Sequence, residues 1–275
     1  MLHALEREYE FEEGKKLTDF AFCGTKDDFH AKIKFLANMA ESETWSFEGR
    51  TNSILTKYIN TAFRQCYREK KIMYSDNNEY ACFNTGLLTP HGHDIIAWFA
   101  VNLNTDAQEK WFFKGFKDKS DKHFMNMFSL VPELATYTDN FADYYFNPEL
   151  NIEINSNHIL EENWDNIKDI LKLDKAIVKT LLFGVLEEAK KKIKRNFRLV
   201  VPQFYNEVIM YLLPIEFPIG NNQTETLALA VQKIDNQYRA NTIFTLDVAY
   251  EKARLLMKPE SSWLSEKNVK IFLNR

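Results

Sequence analysis

The chain has 275 residues, of which 45% are hydrophobic and 27% charged, and its formal net charge is −4. This composition is typical of a folded protein with a sizeable core, and it excludes a disordered chain or a disulfide-stapled miniprotein. The 8 glycines form neither a GxGxxG nor a GxxxxGK[ST] motif. A Rossmann or P-loop nucleotide site is therefore excluded.

The cysteines and the apolar runs indicate in which cellular compartment the protein is expected. Cys23, Cys66 and Cys82 are far apart in the sequence and form no CxxC motif, so nothing requires a disulfide. The acidic N-terminal stretch lacks the apolar run of a signal peptide, and no apolar run approaches the roughly 18 residues of a membrane span. We therefore expect a cytoplasmic protein without a membrane partner; the sequence predicts no oligomeric state.

The first half of the chain predicts helices followed by strands. Apolar residues at helical spacing indicate helices within residues 27–70, the clearer of them beginning near Ser53. Between residues 71 and 116, short aromatic-rich runs separated by turns predict an antiparallel sheet that starts with a hairpin. Residues 118–173 have the pattern of a loop-rich segment, with a strand candidate at 152–154 and a helix start near His158.

The second half contains the strongest helical pattern, from Asp174 to about residue 195. Three strand patterns and a final helix beginning at Asp247 then predict a meander plus helix within residues 205–257. The chain shows no internal repeat and no flexible linker. We therefore predict an α+β fold, with antiparallel β-meanders packed against amphipathic helices, in a single compact domain over residues 1–275.

An ordered series of short motifs carries a resemblance to a known family. The motifs are, in chain order, Tyr80-Ala-Cys-Phe-Asn-Thr-Gly-Leu87, Trp111-Phe-Phe-Lys-Gly-Phe116, Arg195-Asn-Phe-Arg198, Val201-Pro-Gln-Phe-Tyr205, Tyr238-Arg-Ala-Asn-Thr242 and Leu246-Asp-Val-Ala-Tyr250. From about residue 20 to 265 the sequence resembles the bacterial and fungal family catalogued as domain of unknown function 3825. Some members of that family carry cold-shock-like or LOTUS-type modules, so the resemblance implies an RNA context by association.

A basic cluster follows the long helix. Residues 190–198 (KKKIKRNFR) carry six positive charges and no negative charge. Such cations can contact several phosphates, arginine offers a bidentate fork, and nearby aromatic rings can stack on bases. The alternative is a solvated helix end whose cations are favoured by the helix dipole. The predicted ligand contacts here are Lys191, Lys194, Arg195, Asn196, Arg198, Gln203 and Tyr205.

The motif Phe83-Asn-Thr-Gly86 is a second candidate for ligand binding. Asn84 and Thr85 can present an amide and a hydroxyl at a strand end, and a glycine after them permits close approach of the backbone. Such groups could hold a ribose or the edge of a base. A β-bulge or tight turn would require the same residue types, so this alternative stays open.

Two further groups are candidates for acid–base chemistry. Asp247, Tyr250 and Arg254 would share one face of the last helix and could orient a phosphate or exchange protons. An N-cap at Asp247 and an internal ion pair would explain the same residues. His158 lies beside two glutamates and could act as a general base or be a structural histidine.

We therefore predict binding of RNA or a nucleotide-like phosphorylated ligand through the basic loop, with Asn84 and Thr85 contributing specificity. One alternative is an RNA- or nucleotide-processing enzyme of the nuclease or phosphodiesterase type. Another is a protein-interaction module that docks on an acidic partner. His91 and His93 have the spacing of a metal-ligand pair, but no further ligands are evident, so no cofactor is predicted and a divalent metal is left open.

Overall fold

The structure is a computed structural model that describes residues 16–47, 49–104 and 108–266. The chain divides into two compact units, residues 1–136 and 137–275. The described residues contain seven α-helices and two five-stranded mixed sheets, so the predicted α+β class is confirmed. The single domain stays a prediction, because two compact units can belong to one folding domain.

The first unit combines four helices with an aromatic-rich sheet of order β1-β5-β4-β3-β2. Strand β1 pairs in parallel with β5, and the other pairs are antiparallel, as the sequence predicts for residues 71–116. Its elements are α1 (Leu17–Phe20), β1 (Ala21–Phe22), α2 (Lys26–Met39), α3 (Ser53–Arg68), β2 (Met73–Tyr74), β3 (Tyr80–Leu88), β4 (Asp94–Val101), β5 (Trp111–Asp118) and α4 (Lys122–Met127).

Helices cover both faces of this first sheet. On one face, Phe63 of α3 packs edge-on against Phe83, with 5.5 Å between ring centroids. On the other face, Cys82 and Ile96 form a small buried cluster with Phe124 of α4. The apolar stripe predicted for α3 is buried along the helix, because its members recur every three or four residues.

The second unit contains a sheet of order β6-β10-β9-β8-β7, in which β6 pairs in parallel with β10. The long helix, the meander and the last helix are confirmed. Within the segment predicted to be loop-rich, the strand candidate at 152–154 and the helix start near His158 are also confirmed, and α4 is an addition that the sequence did not indicate. The elements are β6 (Asn151–Glu153), α5 (Ser156–Leu171), α6 (Lys175–Arg195), β7 (Val201–Tyr205), β8 (Val208–Gly220), β9 (Gln223–Ile234), β10 (Gln237–Phe244) and α7 (Leu246–Arg254), with 3₁₀ turns at Phe141–Tyr144 and Phe197–Leu199.

The two faces of the second sheet receive different helices. Leu227 and Leu229 of β9 point into the core formed with α5 and α6. The alternate residues Ala228 and Ala230 are also buried, and α7 packs against β7, β9 and β10. Because side chains alternate between the faces of a strand, these small alanines lie on the face that α7 covers.

Strands β8 and β9 are longer than the strands that the sequence predicts for the meander. Pro214 and Pro218 interrupt the apolar pattern of β8, which is why the sequence indicates a strand only up to about residue 213. The structure accommodates both prolines because β7 pairs with β8 only as far as Leu212. Beyond that point β8 is an edge strand on this side, where a missing N–H costs no ladder hydrogen bond.

Helix α6 places the basic cluster. Its N-cap Asp174 accepts a hydrogen bond from the Ala176 N–H at 2.8 Å. Val178, Leu182 and Ile193 are among its buried residues, so the intervening polar residues of the last turns face solvent. In the part of the chain that the structure describes, no helix is long and apolar enough to cross a membrane.

Candidate functional site

The last turn of α6 and the 3₁₀ turn after it form an exposed basic surface, residues 190–198. Ile193 is buried, whereas Lys191, Lys194, Arg195 and Arg198 are exposed. Because α6 buries one stripe only, its cations project on the opposite side. The placement agrees with a phosphate-binding surface and equally with a solvated helix end.

Half of these cations are paired with carboxylates within the protein. Two of the glutamates lie outside α6, so the charge cluster seen in the sequence is partly neutralised by the fold. The pairs are Lys190–Glu187 at 2.7 Å, Lys192–Glu216 at 2.8 Å and Lys194–Glu149 at 3.1 Å.

The other three cations have no carboxylate partner among the residues that the structure describes: Lys191, Arg195 and Arg198. The Arg195 Nη1 donates to the Lys191 carbonyl at 2.7 Å, which caps the helix end and leaves other guanidinium donors open. Phe197, which lies between the two arginines in sequence, is 63% exposed. Cations and an open aromatic ring therefore share one short surface segment.

The backbone of this segment is fixed by hydrogen bonds. The Asn196 side chain accepts from the Arg198 N–H at 3.2 Å. From the C-terminal side, the Ser261 hydroxyl donates to the Arg198 carbonyl at 3.0 Å and the Trp263 indole N–H donates to the Leu199 carbonyl at 2.6 Å. Asn196 therefore has a capping role, and the turn that carries Phe197 is held in place.

Gln203 and Tyr205 do not join the basic surface. Gln203 is only 3% exposed, on the side of β7 that faces the buried layer under α7. With a rise of about 3.3 Å per residue, β7 carries Tyr205 roughly 13 Å beyond Val201. Tyr205 instead lies near Lys252 of α7, whose Nζ is 5.9 Å from the ring centroid. No sequence signal links Lys252 to Tyr205, because the two are brought together by tertiary packing.

Asn84 and Thr85 are buried in the first unit, and their side chains form hydrogen bonds within the protein. The Asn84 amide donates to the Asp94 carboxylate at 3.2 Å and its oxygen accepts from the Gly86 N–H at 3.0 Å. The Thr85 hydroxyl donates to the Ile95 carbonyl at 2.7 Å. The register between β3 and β4 shifts at this point. The geometry thus favours the bulge interpretation over direct ligand contact.

The face Asp247–Tyr250–Arg254 is mostly inside the protein. Tyr250 and Arg254 are buried, and Asp247 is half-buried. The N-cap of α7 is Thr245 rather than Asp247, and the Thr245 hydroxyl donates to the Asp247 carboxylate. The sequence places these three residues on one helix face correctly, but that face packs against the sheet and not around an open site.

His158 lies in the first turn of α5 at an open cleft of about 500 Å³. Its Nε2 is 3.4 Å from a Glu162 carboxylate oxygen, one helical turn away. The cleft is also lined by Arg239, whose Nε lies 3.8 Å from a Glu153 carboxylate oxygen. The imidazole is exposed to solvent, and its ion pair with Glu162 lies within the same helix. Among the described residues, no buried carboxylate orients His158 as it would in a catalytic charge-relay system.

The paired histidines lie in the turn between β3 and β4. The His93 Nδ1 is 3.1 Å from the Asp118 carboxylate, and the His91 and His93 rings are 6.4 Å apart. Among the residues the structure describes, no group of three or more His, Cys, Asp or Glu side chains is arranged to hold a metal ion.

Comparison with known proteins identifies the family. The model of the family described as Domain of unknown function (DUF3825) matches residues 36–263. The chain belongs to this family. The resemblance expected from the ordered motifs is therefore confirmed. Comparison with curated proteins and with solved structures gave no match.

Proposed function

We propose that this protein binds single-stranded RNA through the basic surface at residues 190–198. The observation that carries the proposal is an exposed Phe197 between two arginines that have no carboxylate partner among the described residues. Arginine forks bind phosphate oxygens, and a base can stack on an open aromatic ring. A cytoplasmic location, which three dispersed cysteines without a CxxC motif favour, would give the surface access to RNA.

The number of cations without a carboxylate partner determines how strongly RNA binding should depend on salt. Three cations, Lys191, Arg195 and Arg198, can neutralise phosphates without first leaving a glutamate. For single strands each neutralised phosphate contributes about −0.7 to the slope of log K against log salt. We therefore expect a slope of about −2, which lowers the affinity roughly 20-fold between about 50 and about 200 mM salt.

The experiment measures anisotropy of a labelled oligouridine with the full chain across this salt range. Arg195→Ala combined with Arg198→Ala should reduce the slope to about −0.7 and weaken binding at low salt. The control is Lys175→Ala with Lys179→Ala, which removes the same charge from the same helix. Lys179 lies about 24 Å along the axis from Arg195. The control should leave the slope unchanged.

A second variant tests the aromatic part of the proposal. Phe197→Ala should weaken oligouridine binding by about 5- to 150-fold, and Phe197→Tyr should retain it, because both aromatic side chains can stack on a base. Unchanged oligouridine binding in Phe197→Ala would contradict base stacking on this ring and would leave phosphate contacts as the only basis of binding. If oligouridine does not bind at low salt, the proposal is wrong.

A further inference from the structure

Aromatic rings from four elements line an open cleft of about 360 Å³ in the first unit, together with three exposed polar side chains and the Asp19 carboxylate. The rings are those of Phe20 at the end of α1, Tyr67 near the end of α3, Tyr74 in β2 and Trp111 at the start of β5. The volume lies within the range of about 300–1,000 Å³ that is usual for small-molecule sites. None of these residues belongs to the basic surface, so the cleft is a separate candidate site.

The cleft has a buried floor and open walls. Phe20 and Trp111 are buried and stack with 6.0 Å between centroids and 17° between ring planes. Tyr67 is 37% exposed and Tyr74 is 46% exposed. The ring of Tyr74 is 5.8 Å from that of Trp111. A planar ligand that enters the cleft would thus meet tyrosine rings that remain accessible to solvent.

The sheet register explains how Tyr74 reaches Trp111. Tyr74 pairs with Ala81 of β3, so the two side chains lie on the same face of the sheet. Ala81 carries only a methyl group, which leaves space above it for the larger ring.

Polar side chains at the rim are available for a ligand. The side chains of Asn78, Gln108 and Lys110 are exposed and make no hydrogen bond or ion pair with any residue in the described ranges. The Lys110 Nζ lies 5.1 Å from the centroid of the Trp111 ring system. Each amide offers both a donor and an acceptor, which matches the edge of a heteroaromatic base.

We propose that this cleft binds the base of a nucleotide, stacked on Tyr74 and contacted at its edge by Asn78 and Gln108. Lys110 at the rim would contact the phosphate. A methylated ammonium ligand fits less well, because the Lys110 cation already lies over Trp111. This site goes beyond the proposed RNA surface and does not depend on it.

The experiment is calorimetric titration of the full chain with adenosine and with AMP. Tyr74→Ala should weaken both ligands by about 5- to 150-fold, and Tyr74→Phe should retain them, because stacking needs the ring and not the hydroxyl. Lys110→Ala should bind adenosine normally and lose the added affinity for AMP. Tyr145→Ala removes a comparably exposed tyrosine from the second unit and should change nothing.

The outcomes separate this proposal from the RNA surface. Adenosine carries no phosphate, so Arg195→Ala with Arg198→Ala should leave its affinity unchanged even if RNA binding is lost. No heat with adenosine, or equal competition by benzyl alcohol, would overturn the base site. If Tyr74→Ala does not fold, Tyr74→Phe and Lys110→Ala still test it. Displacement of AMP by oligoadenosine would assign the base to an RNA strand, and no displacement would assign it to a free nucleotide.

Discussion

The bulge at Asn84–Gly86 yields a stability prediction that separates a structural motif from a binding motif. Gly86 has φ +75°, and a Cβ built there would lie 2.7 Å from the Tyr58 hydroxyl oxygen. That hydroxyl donates to the Thr85 carbonyl at 2.9 Å. Gly86→Ala therefore introduces both an unfavourable backbone conformation and a steric conflict with a buried side chain.

The loss of unfolding free energy expected for Gly86→Ala has one part from the backbone conformation and one from the steric conflict. A left-handed alanine costs about 1–2 kcal/mol. Displacing the buried Tyr58 ring also breaks its hydrogen bond, which adds about 1 kcal/mol or more. We therefore expect Gly86→Ala to lower the free energy of unfolding by about 2–4 kcal/mol. Gly92→Ala is a matched control, because Gly92 has φ +74° and no atom within 4 Å of its built Cβ. Gly92→Ala should therefore lower the free energy of unfolding only by the amount that the left-handed backbone conformation costs.

A double-mutant cycle with Tyr58→Phe tests the steric part. Tyr58→Phe alone should cost about 1–2 kcal/mol, because the Thr85 carbonyl loses its donor. In this background Gly86→Ala meets only the ring carbon at 3.9 Å, an ordinary contact. The double variant should therefore be more stable than the sum of the single effects by about 1–2 kcal/mol, measured by urea unfolding. Additivity within about 0.5 kcal/mol would refute the reasoning.

Two further predictions concern titratable groups in the first unit. The hydrogen bond from Lys119 holds the pKa of Asp94 below its ordinary value of 3.8, so this contribution to stability is present above about pH 4 and is lost as pH falls through the lowered pKa. Lys119→Ala should lower the free energy of unfolding by about 0.5 kcal/mol at pH 7, and by less as the pH falls through that lowered pKa. Lys34→Ala should show no such pH dependence, and urea unfolding at neutral and at acid pH checks both variants. Burial raises the pKa of the Cys66 thiol to about 12, so iodoacetamide at pH 8 should label this cysteine only after unfolding, and rapid labelling of the native protein would contradict the buried environment.

The sequence predicts elements well where one apolar period continues without interruption. Helices α3 and α6 are predicted because each buries a continuous stripe. In α5 the polar Asn163 occupies a buried position, where its amide donates to the Ile159 carbonyl at 2.8 Å and its oxygen accepts from the Thr242 hydroxyl at 2.7 Å. This buried polar residue breaks the apolar pattern, and only the tertiary partner Thr242 explains it.

Two of the edge strands, β1 and β7, are missed for a different reason. Strand β1 contains only two residues, too few for a period to be recognised, whereas the three-residue β6 agrees with the strand predicted at 152–154. Strand β7 contains Pro202, which argues against a strand in sequence analysis but is tolerated at the edge of a sheet. The sequence thus indicates the central antiparallel strands and the edge strands β2 and β6, whereas β1 and β7 are found only in the structure.

The candidate site shows the same division between local and tertiary information. The sequence shows six cations in residues 190–198, but not that Glu149 and Glu216 come from elsewhere in the second unit to pair with two of them. If the charge count alone decided RNA binding, the salt slope would approach about −4. The fold leaves Lys191, Arg195 and Arg198 unneutralised by carboxylates among the described residues, and this predicts about −2. A measured slope near −4 would therefore mean that RNA competes successfully with glutamates for the paired lysines, which requires those ion pairs to open on binding.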